Sequence, residues 1–128
     1  MKLLNVYQAR DAWQRLSALR MPPHTAYRLL KYLKRVVAES EVIEQQRVRL
    51  VREAAGVKEG EDANLAPGTP GYIQFVTDFG KVLDTESDLK LFDMTLAGLL
   101  DLLGKEQGNV LSAQDLGQLE AFFKPDAV

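Results

Sequence analysis

The residue types that carry most enzyme chemistry are nearly missing from this chain. It has one histidine, His24, and no cysteine in 128 residues. A single histidine beside Pro22 and Pro23 offers neither a general base for a Ser-His-Asp arrangement nor a His pair for a metal. Without thiolates there is no cysteine nucleophile, disulfide framework or thiolate zinc site. Glu39 and Glu41 stand two apart on a helical stretch, so they point to different faces rather than at one reacting atom. The glycines fall in turns without the flanking strand that a phosphate-cradling loop needs. The run Lys58-Glu59-Gly60-Glu61-Asp62 lacks the ligand spacing of a calcium loop. These residues predict a non-enzymatic protein with no catalytic, cofactor-binding or metal-ligating set.

The chemistry that remains is binding. Arg28, Lys31 and Arg35 follow one another at helical three-and-four spacing, with Lys34 partly aside and Tyr27 and Tyr32 nearby. Such a face could track phosphates, or its long basic side chains could cover an apolar seam. Phe122 and Phe123 either join the core or form a docking surface for another chain. Arg28, Lys31, Lys34, Arg35, Phe122 and Phe123 are therefore the candidate interaction surface.

The element that must position the basic residues is the run from Pro23 to Ala55, with no internal Gly or Pro. As a helix it would be about 50 Å long. Leu29, Val36, Ile43 and Leu50 recur every seventh residue. Ala26, Leu33, Ser40, Arg47 and Ala54 complete a heptad seam, which Leu30, Val37 and Val51 widen on one flank. Ser40 and Arg47 place polar groups in that seam, where they can set register, and Arg47 calls for a carboxylate opposite it. Gly56 supplies a left-handed terminus.

A shorter helix is predicted before the long one. It starts at Asn5 with Gln8 as the return half of a capping box and ends near Arg20 ahead of the two prolines. Ala9, Ala12, Trp13 and Leu16 share its apolar face. Residues 57–70 read as a polar loop. Thr69-Pro70 then opens a return helix to about Asp84, with Tyr72, Val76, Phe79 and Leu83 on one face. It should fold back antiparallel on the end of the long helix, bringing Asp78 and Asp84 within reach of Arg47, Arg49 or Arg52. Residues 88–96 alternate as a strand, with a phase slip at Leu91-Phe92 that suggests a bulge. Its partner would be Asn109-Val110-Leu111 or a strand from another subunit. Residues 97–103 predict a short helix, and Ser112 with Asp115 caps a last one closed by Pro125. The fold class is mainly α (small α+β): a long helix with an antiparallel return helix, a short N-terminal helix, a small β element and short C-terminal helices.

Length and composition fit a single domain spanning residues 1–128. The net charge of −2 hides a division. Residues 1–56 carry 11 Lys/Arg against 5 Asp/Glu, and residues 57–128 carry 5 Lys against 13 Asp/Glu. A basic half thus precedes the loop and an acidic half, 71–128, follows it. The halves can fold onto each other, or the basic helices can face an acidic partner. No apolar run is long enough to span a bilayer, and the N-terminus turns polar too early for a signal peptide.

Several stretches resemble a family of short helical proteins encoded by tailed bacteriophages and prophages, most of them of unknown function. The stretches are Ala26-Tyr27…Leu30 to Lys34, Glu44…Arg47…Leu50, Phe75…Phe79…Leu83 with the acidic strand after it, and Leu111 to Phe122. The resemblance implies a phage origin, in host cytoplasm or virion, and brings no catalytic residues. The expected function is protein–protein interaction, as a self-associating structural component or assembly factor that binds itself or another phage protein. The main rival is an inhibitor of a host enzyme, a polymerase or defence nuclease, using the acidic half as a nucleic-acid mimic. Binding of nucleic acid by the basic face ranks third.

Overall fold

The structure, a computed structural model, describes residues 1–56 and 65–125. Helix α3 spans Pro23–Ala55 and organises the rest. Its limits follow from local chemistry: Pro23 sits in its first turn, and Gly56 ends it at φ 72°. Only glycine takes that left-handed conformation without a Cβ penalty, and its N–H closes onto the Arg52 and Glu53 carbonyls.

Helix α4, Pro70–Leu83, begins at Thr69, whose Oγ1 accepts the Tyr72 N–H at 3.2 Å. It runs back along α3. A Cβ on Gly71 would lie 2.8 Å from the Ala54 carbonyl oxygen, so glycine permits the close start of the pair. Beyond the far end of α4, the Ser87 hydroxyl donates to Glu39 at 2.9 Å, which fixes the antiparallel sense. The return helix thus covers α3 from Ala54 back to about Glu39.

The N-terminal helix differs from expectation. It starts at Leu3 and is divided at Ala9 into α1, Leu3–Gln8, and α2, Arg10–Ser17. Asn5 and Gln8 form no capping box. Instead the Leu3 N–H donates to the Thr85 carbonyl at 2.9 Å, and Lys2 bridges to Glu86. A strand-like contact with the segment after α4 thereby replaces a side-chain cap. The division lets α1 pack on α3 and α4 while α2 turns toward the C-terminal helix. The helix stops at Ser17, short of Arg20.

The C-terminal part comprises β1, Phe92–Thr95; α5, Leu96–Leu103; α6, Lys105–Gly108; α7, Ala113–Glu120; and β2, Phe123–Lys124. β1 pairs in parallel with β2, with an irregular register between Phe92 and Thr95. The phase slip expected at Leu91-Phe92 falls at the start of the strand, ahead of that irregularity, and the strand is shorter than 88–96. Its partner is neither Asn109-Val110-Leu111 nor another subunit. Val110 and Leu111 donate instead to the Gln107 and Gly108 carbonyls at the end of α6. The α7 terminus is the expected capping box: Ser112 and Asp115 exchange bonds of 3.1 Å in both directions. Pro125 follows β2 rather than closing α7.

The core joins the first and last elements. Trp13 lies against Tyr32, Phe122 and Phe123, and Phe92 contacts Tyr32 and Phe123. Leu29, Val36, Ile43 and Leu50, the heptad row, are all buried. No helix among the described residues is long and apolar enough to cross a membrane.

Candidate functional site

Two features of α3 stand out as surfaces: a basic groove on one side and an uncovered apolar flank on the other. The groove lies between α3 and the segment 88–93. Arg28, Lys31, Tyr32 and Arg35 face Lys90, Leu91, Phe92 and Asp93 across a concavity of about 240 Å³. A second concavity of about 340 Å³ continues it past Arg35 and Lys90 to Ala38, Glu39, Asp88 and Leu89.

The groove is stitched by its own wall. Tyr32 Oη donates to the Lys90 carbonyl at 2.6 Å, and Arg28 Nη2 donates to the Asp93 carbonyl at 3.3 Å. Phe92 donates its N–H to Phe122 in the opposite direction, so α3 side chains occupy the side of β1 turned away from β2. These contacts blunt an edge that would otherwise accept another strand. Burial pushes the Tyr32 phenol up to about 12, with Arg35 acting in the other direction. Lys124 and Arg28 flank the Asp93 carboxylate, and Lys124's hydrogen bond holds Asp93 below the usual carboxylate range. Arg28 also lies 5.6 Å from the Phe92 ring, and Lys31 lies 4.9 Å from that of Tyr27.

The groove brings together three of the four basic residues singled out in the sequence. Lys34 is exposed on another side of α3. Tyr32, placed by its spacing near a possible contact face, is buried. Phe122 and Phe123 are no docking surface: they are 0% and 2% exposed. They sit inside the aromatic cluster because β2 draws the chain after α7 onto β1. Lys90 and Asp93 complete the groove and carry no spacing signal linking them to α3. Only the folded chain puts them opposite Arg28.

The expected pairing of α3's last third with α4 does not occur. Arg47 forms a two-pronged contact with Glu44 on its own helix, Nε to Oε2 being 2.9 Å. That bond lowers the Glu44 carboxyl and raises the guanidinium. Arg49 pairs with Glu53 and Gln46. Asp84 binds Lys2 at 2.5 Å, and Asp78 accepts from Gln74. Helical neighbours at three and four residues reach these arginines without any tertiary constraint. Ser40 likewise donates to the Val36 carbonyl at 3.1 Å, so both seam polar groups are satisfied within α3.

The second surface is apolar. Leu30 and Val37, expected to widen the buried seam, are 47% and 46% exposed. They fall outside it because α2 covers the other side of Leu33 and Val36. A groove between α2 and α3 runs from Leu19, Met21, Ala26 and Leu30 past Ser17 and Leu33 to Val36, Val37 and Ser40. Trp13 lines it, and its buried Nε1 has no hydrogen-bond partner among the described residues.

No family model, curated protein or solved structure matches this chain. The two surfaces are therefore the basis for a functional reading. Among the described residues no group of three or more His, Asp or Glu could hold a metal. The one buried charge among the described residues, Asp115, is held by Arg15 at 2.7 Å and by its own helix cap. It welds α2 to α7.

Proposed function

We propose that this chain is a non-enzymatic protein–protein interaction component that self-associates, acting as a structural part or assembly factor. A bacteriophage or prophage setting, in host cytoplasm or virion, is part of the same reading and rests on the sequence resemblance. The observation that carries it is the uncovered flank of α3. Leu30 and Val37 stand exposed one heptad apart beside the α2/α3 groove, on a rigid helix whose other faces hold the core. Apolar side chains in such a row are a helix-docking stripe without its partner. Light scattering over a concentration series tests this. A stable oligomer that dissociates when Leu30 and Val37 are both replaced by Asp supports it, and a strict monomer at high concentration refutes it.

The basic groove favours a second reading, contact with an anionic partner such as nucleic acid or an acidic protein surface. Arg28 already serves Asp93, which leaves Lys31, Arg35 and Lys90 as its outward charges. Binding to DNA that weakens with salt and is lost on replacing Lys31 and Arg35 would establish it. The rival host-enzyme inhibitor draws less support from the acidic half, where Asp84, Asp93 and Asp115 are paired with cations of this same chain.

A further inference from the structure

The uncovered side of α3 has a pattern beyond its apolar content. Leu30, Lys34, Val37, Glu41, Glu44 and Val48 follow at alternating four- and three-residue steps. All six share one side of the helix and are exposed, except Val48, which is half-buried. In heptad terms Leu30, Val37 and Glu44 form one row, and Lys34, Glu41 and Val48 form the companion row. The stripe is apolar at both ends, Leu30 and Val48; between them Val37 separates the basic Lys34 from the acidic Glu41 and Glu44.

Such a stripe is poorly matched to a parallel copy of itself in register, which would oppose Lys34 with Lys34 and Glu44 with Glu44. Reversing the second copy changes every opposition. When each row meets the companion row antiparallel, Leu30 faces the partner's Val48, Lys34 faces the partner's Glu44 and Val37 faces the partner's Glu41. Two-fold symmetry then repeats each of these contacts. Moving one copy by a heptad in either direction separates Leu30 from Val48 and Lys34 from Glu44. This register is the one that joins the apolar ends and pairs the opposite charges together.

We infer that a second copy of this chain docks antiparallel along α3, its Lys34 against Glu44 of the first and its Leu30 against Val48. The inference rests on the self-association reading and adds its geometry. The α2/α3 groove supplies the room: α2 covers α3 on one side, and the incoming helix lies beside it as a further member of a bundle. The Glu44 carboxylate is half-exposed with both oxygens bonded to Arg47, so the incoming Lys34 would join an existing ion pair from its solvent side. The basic groove lies on another side of α3 and stays open in such a dimer.

Cysteine cross-linking reads the register directly, because the natural chain contains no cysteine. Leu30 and Val48 of one chain are about 27 Å apart along the helix, too far for a bridge within it. The double variant L30C/V48C should therefore form covalent dimers under mild oxidation, while L30C alone and V48C alone should not. Covalent dimers from either single variant would mean a parallel pairing and overturn the inference. In parallel, K34E should weaken dimerisation by about tenfold and K34E/E44K should restore it, since the double swap rebuilds both ion pairs. Circular dichroism confirms that each variant keeps its helix content. A dimer that gives no cross-link from the double variant and ignores the charge swap overturns this register but leaves self-association standing. A monomeric natural chain overturns both.

Discussion

The two ends of α3 are held by different physics. The first third is bound to residues distant in sequence: Tyr32 to Lys90, Arg28 to Asp93, and both rings of Trp13 and Phe92 against Tyr32. The last third keeps its charges to itself, Arg47 to Glu44 and Arg49 to Glu53, and Leu50 is its one fully buried side chain. Eleven charged residues on one helix therefore do not play one role. Those near β1 contribute to tertiary structure, whereas those near Gly56 stabilise a helix that would form anyway.

The sharpest way to break this comparison is to excavate each end. Phe122→Ala, which opens the aromatic cluster beneath the first third, should lower the unfolding free energy by about 4 kcal/mol. Leu50→Ala should cost nearer to ~2 kcal/mol, because that site is at the rim of the core and can collapse. Urea denaturation followed by Trp13 fluorescence measures both, and equal losses would erase the distinction. A comparable effect isolates Asp115, whose replacement by Ala leaves Arg15 unpaired and the Ser112 N–H without its acceptor. About 2 kcal/mol should be lost in the same assay.

Tyr32→Phe sharpens the comparison through pH. The phenol ordinarily titrates near 10 and in the fold near 12. Between those values the unfolded chain gives up the Tyr32 proton while the folded chain retains it, so stability falls as pH rises. Unfolding free energies of the natural chain and the variant should differ by about 1 kcal/mol of hydrogen bond at neutral pH, and the gap should shrink above pH 10 and reverse before pH 12. A constant gap would mean that Tyr32 titrates normally. Least of all should follow from Arg47→Ala, an exposed pair one turn apart, where thermal denaturation should register less than ~0.5 kcal/mol.

Much of the fold was legible because its signals are local. Pro23 and Gly56 bracket α3, Thr69-Pro70 opens α4 and Ser112 with Asp115 opens α7, each through groups within three residues of one another. The heptad row marked the buried stripe for the same reason. What escaped was non-local. No spacing reveals that β1 pairs in parallel with a two-residue strand after α7, or that this pairing carries Phe122 and Phe123 inward. Leu30 and Val37 were misassigned because the width of a seam depends on which helices cover it, and α2 turned out to lie over only one side. The arginines of the last third were given partners across the helix pair, but carboxylates on their own helix were nearer. Of the groove, Arg28, Lys31 and Arg35 could be grouped from spacing, whereas Lys90 and Asp93 had no such mark. Most of the 57–70 loop lies outside the described residues.

The packing of Trp13 against Phe122, edge-on, and Phe123, stacked, has a consequence for how the chain is made. The ring at the centre of the core belongs to α2, and the rings that enclose it come from residues synthesised after α7. On the ribosome, α3 and α4 can pair as soon as both emerge, but Trp13 stays open to solvent until residue 123 has left the exit tunnel. Chains released or cleaved before that point would carry an unfinished hydrophobic surface, the kind that chaperones and proteases recognise. The two-residue strand β2 thus works as a completion signal, by which only a chain extended through Phe123 closes this core.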